Sequence, residues 1–466
     1  MDYPFDVVAD QRRCEHMSEN LYILCLLAWV VIGVFSLTII WGHQGQGTGL
    51  VLAFFCNMAL IHWFSGVITF FPWYSSAEYS TTTAGFGVST AGMVAFAIGC
   101  FGFAPLFFHA EDEMAPFRME ESDSKFLRLF LIIGIASLIL GAVGARQIPS
   151  AAAILSGGQA FGFAGIGFGI WQSYLHQNRK QLLLCLAAAA AFPLLTLILQ
   201  GFLGFGVGYT IIVLCFFVAI YRPRWTMVLL VIPVGYLALS VFVTYMRDRN
   251  DIRSVVWGGG RMEERINQAE QTFQQFEWFD PLNRRHLDDI DRRLNYNWMV
   301  GAAMAHLRTP NDFGKGETLW MGVLAIIPRV LWPDKPIQAG SMNFVSHYTG
   351  VKFAEGTSVG MGLIFEFYVN FGIYGVLIGM LIVGTLVRYA DCRAGVELRW
   401  GSAIAFARWF LIGEFLLLVG GSIIEIVPNL VLAVVLTAGL RYLYPEQPSI
   451  RLMEDSVDTS TDSSEP

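Results

Sequence analysis

The sequence predicts an all-α, polytopic membrane helical bundle of about 10–12 transmembrane helices, with one large helical loop on a single face. Three observations predict it. Hydrophobic residues make up 55% of the 466-residue chain and charged residues only 14%, against about a quarter charged in soluble domains. Apolar stretches of roughly 20 residues, the length that crosses a bilayer, recur along the chain. Charge is concentrated in one long polar interruption, where 14 of the 30 Lys and Arg lie between Arg247 and Lys352.

Residues 1–20 form a polar N-terminal segment that does not read as a cleaved leader. An N-terminal bundle, 21–246, follows, with apolar stretches at 21–42, 48–72, 83–108, 126–145, 150–175, 181–199, 202–221 and 225–246. The stretch at 150–175 is the weakest because it is rich in Gly and Ala. The large loop spans 247–358, the C-terminal helices 359–443 include apolar stretches at 361–388, 402–420 and 422–442, and an acidic, Ser/Thr-rich tail, 444–466, reads as disordered. The net charge of −7 and the absence of a basic tract argue against a nucleic-acid partner.

Cationic residues in short connections set orientation. Arg179 and Lys180, Arg222 and Arg224, Arg388, Arg393 and Arg399, and Arg441 and Arg451 fall on one side if the loop lies on the other. The loop is therefore expected outside the cytoplasm and the C-terminus inside, in a multi-pass protein of a bacterial inner (plasma) membrane. Eleven spans put Arg12 and Arg13 on the loop side, so either the N-terminus is external or one early span is miscounted.

Within the loop, Met262, Ile266, Ala269, Phe273 and Phe276 recur at helical spacing. Asp280-Pro281 has the form of an N-cap with Pro at the first helical position, followed by a helix carrying Leu282, Leu287, Ile290, Leu294 and Trp298 on one side. Asp288/Arg292 and Asp289/Arg293 stand at i,i+4 in the favourable order, about 0.2–0.5 kcal/mol each. Arg292 or Arg293 is left as the arginine facing a ligand, because guanidinium binds phosphate in a bidentate fork. Trp257-Gly258-Gly259-Gly260 reads as a hinge, and the glycine run from Gly162 to Gly169 as a close-packing surface.

Ile326 to Pro336 packs Pro328, Pro333 and Pro336 around Arg329, Trp332 and Lys335. Proline fixes φ and removes a donor, so this is a stiff, non-helical carrier for two cations suited to an anionic ligand. Trp332 either stacks on a sugar ring or anchors the loop at the interface. Gly362, Glu366 and Asn370 stand at i, i+4, i+8 on one helix face. An acid near the outer end of a span is either functional or paired internally, for instance with a loop arginine. Glu414 and Glu425 raise the same question, with Arg408 as a local partner. The cysteines lie mostly in apolar segments without metal-ligand spacing, and the eight histidines are scattered with none convincingly mid-span.

Three blocks resemble one family: Arg293 to Gly301 with Thr309-Pro310 and Phe313 to Thr318; Ile327-Pro328-Arg329-Val330-Leu331-Trp332-Pro333-Asp334-Lys335-Pro336; and Gly362 to Gly375, with Glu366, Asn370 and Gly372. Together they resemble the O-antigen or oligosaccharide repeat unit polymerases (Wzy type), over about a quarter of the chain. The resemblance implies a GT-C-like helical fold and a metal-independent, cofactor-free glycosyltransferase. Its substrates would be oligosaccharides on polyprenyl diphosphate, usually undecaprenyl, with membrane lipid and a chain-length regulator protein as further partners. Catalytic roles fall to Arg329, Lys335 and Glu366, and substrate binding to Arg253, Arg292, Arg293, Trp332 and Asn370, with no metal ligand. Charge would build on the departing diphosphate, and fixed cations in a water-poor site stabilise it. The base is left open among His286, His306, His347 and Glu366. A transporter or flippase of lipid-linked oligosaccharide, a related glycan ligase, and an acyltransferase are the competing readings.

Overall fold

The computed structural model describes residues 19–42, 47–75, 78–108, 123–142, 149–224, 226, 229–327, 331–332, 341–353, 357 and 359–445. All regular structure among them is helical. The bundle is built from α1 (Glu19–Gly42), α2 (Leu50–Thr69), α3 (Tyr79–Phe107), α4 (Asp123–Ala142), α5 (Pro149–Leu175), α6 (Arg179–Gln200), α7 (Gly204–Tyr221) and α8 (Val231–Trp257). The loop supplies α9 (Met262–Gln274), α10 (Arg284–Leu294), α11 (Asn297–His306), α12 (Glu317–Ala325) and α13 (Ser341–Thr349). The chain returns through α14 (Leu363–Arg399), α15 (Ala403–Leu416) and α16 (Ile423–Leu443). Among the described residues, eight helices are long and apolar enough to cross a membrane: α1, α2, α3, α5, α6, α7, α14 and α16. This is the architecture of a multi-pass membrane protein.

Three expected spans, at 126–145 (in α4), 225–246 (in α8) and 402–420 (around α15), are not among these eight. Helix α15 has 14 residues, about 21 Å, and buries Phe406, Phe410, Leu411 and Phe415 on several sides, as a core helix rather than a full span does. Helix α8 continues through residue 246 to Trp257, so the boundary expected there lies inside one helix. Helix α5, the weak candidate, is the most enclosed of the eight. Its glycines admit close neighbours: Gly162 meets the backbone of Gly134 in α4, and Gly165 meets Phe130.

Contacts fix which helix ends share a face. Asp391, in α14, accepts from Thr48 N (2.7 Å), Thr48 Oγ1 (2.9 Å) and Leu50 N (3.0 Å), capping α2. Gly49 abuts the Cys215 carbonyl of α7, Phe126 meets Tyr444, and Arg179 lies beside Tyr221. The start of α2 and the ends of α7, α14 and α16 thus lie together, opposite the loop helices. Tyr22, near the start of α1, donates to Gly66 O (2.8 Å) at the end of α2. The chain therefore enters α1 from the loop face, and the early parity is resolved without removing a span.

Inside the loop, α9 forms as its periodicity predicts. The next helix starts later than expected: Asp280 Oδ1 accepts from Leu282 N (2.9 Å), while Asn283 caps α10 by accepting from Arg285 N (3.0 Å). It also ends earlier, breaking at Asn295–Tyr296 before α11. The expected Asp288–Arg292 and Asp289–Arg293 pairs do not form among the described residues. Arg284 stands 3.9 Å from Asp288, and Tyr74 donates to Asp288 (3.0 Å) and Asp291 (3.3 Å), so the acids hold the loop to α2's end. The glycine hinge is an ordered turn, with Gly259 at φ 78° and Gly260 N bonded to Val255 O (2.9 Å).

Candidate functional site

The loop docks through a defect in α2. Residues Ala59–Trp63 form a π turn, a one-residue insertion that shifts the hydrogen-bond ladder. Here the loop uses two of its carbonyls. Tyr296 N donates to Ile61 O (3.0 Å) and Asn297 Nδ2 to His62 O (2.9 Å). Asn297 Oδ1 accepts from Ser89 Oγ (2.9 Å) and from His62 Nδ1 (2.7 Å), which makes Nδ1 the protonated nitrogen. The other ring nitrogen, His62 Nε2, is buried without a partner. His62 thus lies inside a span and 1% exposed, against the expectation that no histidine does. A π turn leaves no mark in an apolar sequence, so only its polar neighbours Asn57 and His62 could have signalled it.

This docking drives Tyr296 into a slot between two turns. Cβ atoms placed on Gly360 or Gly420 would meet its hydroxyl, and one on Gly362 would meet its ring at 2.8 Å. Gly362 also has φ 74°, where an L side chain is strained. Leu363 N bonds to Val419 O (3.3 Å), tying the same two turns together. Burial pushes the Tyr296 phenol up to about 12, with Glu425 adding and Arg293 opposing. Glu425, in the first turn of α16, keeps its side chain exposed close to this slot, within electrostatic reach of Tyr296.

Glu366 is fully buried. Its Oε2 accepts from Ile423 N (2.7 Å), capping α16 where the helix dipole favours an anion, and its Oε1 has no partner. The internal partner is thus a helix terminus and not a loop arginine. Asn370 serves the backbone: Oδ1 accepts from Gly316 N (2.9 Å), and Nδ2 donates to Thr318 Oγ1 (2.7 Å) and Glu366 O (2.7 Å). Beyond it, Phe371 and Gly372 leave helical geometry, and the chain folds so that Gly375 and Gly379 pack on Phe367. The two glycines thereby let the two halves of α14 pack closely on one another.

Two arginines from the sequence candidates are partly buried. Arg253, half-buried in α8, lies over Phe202 (4.4 Å) and Trp257 (4.8 Å), and its Nε reaches Gly201 O at 3.4 Å. Arg293, at the end of α10, has its Nε buried without a hydrogen-bond partner. It is within electrostatic reach of Arg253, Tyr245 and Tyr296. Neither arginine forms an ion pair among the described residues. Arg292 is exposed to solvent, whereas Arg293 is partly buried. Trp332 is half-buried. Arg329 and Lys335 lie outside the described residues.

The other base candidates are engaged or distant. His286 is 3% exposed, and its Nδ1 accepts from Asp280 N (3.1 Å). Its Nε2 faces Glu277, whose carboxyl is held below its ordinary value by Arg247, His286 and Arg285 against the opposing effect of burial. His306 and His347 are exposed on the loop. Glu414, in α15, has both carboxylate oxygens buried and unpartnered, while Arg408 donates to Thr437 (3.3 Å) instead. Among the described residues no cluster of His, Cys, Asp and Glu could hold a metal ion.

The described residues define an all-helical chain with eight helices able to cross a membrane and a polar joint where α11 packs on α2. Residues 53–440 match a family described as a domain of unknown function, DUF8712, and the chain belongs to that family. No curated protein and no solved structure matches it.

Proposed function

We propose that the protein is a membrane glycosyltransferase that moves a glycan from polyprenyl diphosphate to a sugar hydroxyl on a second lipid-linked unit. The observation that supports this reading is that Arg253 and Arg293, each without a carboxylate partner among the described residues, lie within electrostatic reach of one another. Like charges are held close only at a cost, which an anionic ligand offsets. A diphosphate at the membrane face fits the fork of each guanidinium. The loop faces the extracytoplasmic side in this reading, since Arg179, Arg222, Arg388, Arg393 and Arg441 are on the opposite face.

The anomeric C–O bond to the diphosphate breaks, and its electron pair leaves with the phosphate oxygen. Arg253 and Arg293, with Arg329 and Lys335 from the proline-rich stretch, stabilise that charge. The acceptor hydroxyl forms the new C–O bond and gives its proton to a carboxylate. Glu425, exposed close to the Tyr296 slot, takes this role more readily than Glu366, one of whose oxygens is committed to Ile423. Trp332 offers a face for a sugar ring.

Purified protein in lipid should elongate a lipid-linked oligosaccharide without nucleotide sugar and in the presence of chelator. Arg293→Ala should remove this activity while circular dichroism and gel filtration stay unchanged. Full activity in Arg293→Ala, or no transfer from any polyprenyl-diphosphate donor, would overturn the proposal. A second reading, a proton-coupled flippase of the same lipid, draws on Glu414, because an unpaired acid inside a membrane bundle is a common mark of proton coupling. Under that reading, reconstituted protein translocates the lipid and Glu414→Gln stops it, with no new glycosidic bond.

A further inference from the structure

Helix α12 is built inside out for a loop helix. Its fully buried positions are small, with Leu319 and Met321 half-buried beside them: Thr318 is buried against Asn370, and Gly322 lies against Ile423, where a Cβ would meet the Ile423 side chain at 2.8 Å. Its outward positions are large and apolar: Trp320 is 62% exposed, Val323 48%, and Ile326 and Ile327 just beyond it are exposed as well. A loop helix in water turns the opposite pattern outward. Small residues inward and large apolar residues outward are the pattern of helices in lipid.

Two further features agree. The apolar face is continuous with a stripe on α14: Phe371 touches Gly316, and Phe371, Tyr374, Ile378 and Ile382 are all exposed on one side of α14, which is itself long and apolar enough to span. The approach to α12 also satisfies its own backbone. Gly314 N bonds to Val369 O (2.9 Å), Lys315 N to Asn370 O (3.1 Å), Gly316 N to Asn370 Oδ1 (2.9 Å) and Glu317 N to Gly314 O (2.8 Å). The break at Phe371–Gly372 accompanies this pairing, since Val369 and Asn370 would otherwise accept from the following turn of α14. Hydrocarbon demands such closure, because no water is present to complete it. Lys315, exposed and bonded to Asn311 (3.1 Å), marks where the polar boundary lies.

We infer that α12 is a membrane-embedded element of the loop, with Trp320, Val323, Ile326 and Ile327 in contact with acyl chains. At about 13 Å its nine residues are too short to cross.

The test uses the full-length protein in liposomes. Trp320→Cys, Val323→Cys and a control, Arg261→Cys in the aqueous turn before α9, are treated with a membrane-impermeant maleimide and read peptide by peptide by mass spectrometry. In parallel, the unmodified protein is irradiated with a carbene reagent dissolved in the acyl chains. The expected result is that the two α12 cysteines react at least an order of magnitude more slowly than Arg261→Cys, and that peptide 317–327 carries the carbene adduct. Labelling of Val323→Cys as fast as the control overturns the inference in favour of water. Slow labelling without the carbene adduct also overturns it, because protein then covers the face.

Discussion

Replacing Asn297 with Leu tests the joint that docks α11 on α2. The two side chains have similar size and shape, so packing is largely kept. Four hydrogen bonds are lost: those of Oδ1 with His62 Nδ1 and Ser89 Oγ, and those of Nδ2 with His62 O and Ser65 Oγ. Ser65 keeps its own bond to His62 O (2.9 Å), so that carbonyl stays satisfied. His62 Nδ1–H and the Ser89 hydroxyl are left as buried orphans, at about 1–3 kcal/mol each. With about 1 kcal/mol recovered from the added apolar contact, α11 should lose about 3 kcal/mol of docking stability, a factor of about 100 in its opening equilibrium. Hydrogen exchange followed by mass spectrometry on the full-length protein reads this directly. Amides of α11 should exchange about 100-fold faster while those of α14 after Gly372 are unchanged. Ser65→Ala, which removes only one contact to Asn297, should give a change below about tenfold. If Asn297→Leu leaves α11 exchange within about threefold of wild type, the joint is not what holds the loop, and the reasoning fails.

Glu366→Gln keeps an oxygen to accept from Ile423 N and should leave the start of α16 intact, whereas Glu366→Ala should cost about 1–2 kcal/mol by losing the cap, seen as faster exchange of residues 423–427. Equal exchange in the two variants would show that the carboxyl is no cap. Glu78 is pushed up from 4.5 to about 7 by burial, with Asp291 adding to it. A raised carboxyl stabilises the fold fully below its unfolded pKa and loses that contribution as pH rises through the folded one. Protection at the α10 contact, taken relative to the intrinsic exchange rate at each pH, should therefore fall between about pH 5 and 8, and Glu78→Gln should flatten that protection profile. A wild-type profile that is already flat would refute this.

The all-helical class, the apolar helices and the helical content of residues 247–358 are legible in the sequence because they follow from composition and periodicity, which are local. Helix α9 follows from spacing alone. Orientation could be argued from cations in short connections, but the parity of α1 needed the Tyr22–Gly66 contact. Other decisions were tertiary for definite reasons. The Asp288–Arg292 pair, favoured in an isolated helix, lost to the Tyr74 hydroxyl because docking brings a partner 214 residues away. The role of Asn370 as a clamp on the Gly314–Gly316 backbone depends on a break at Phe371–Gly372, where Gly372, at φ 63°, accepts a conformation the pattern around it does not announce. The partner of Glu366 proved to be a helix end, and a backbone N–H carries no side-chain signature.

By itself, the sequence determined a greasy helical bundle with its charge gathered on one loop, since hydrophobic burial and helix periodicity are written residue by residue. Only the tertiary structure decided that Tyr296 fills a slot between Gly360, Gly362 and Gly420, that a π turn at His62 receives the loop, and that Arg293 comes within electrostatic reach of Arg253, 40 positions earlier. These are meetings of distant segments, set by which backbone groups remain unpaired when the helices close together.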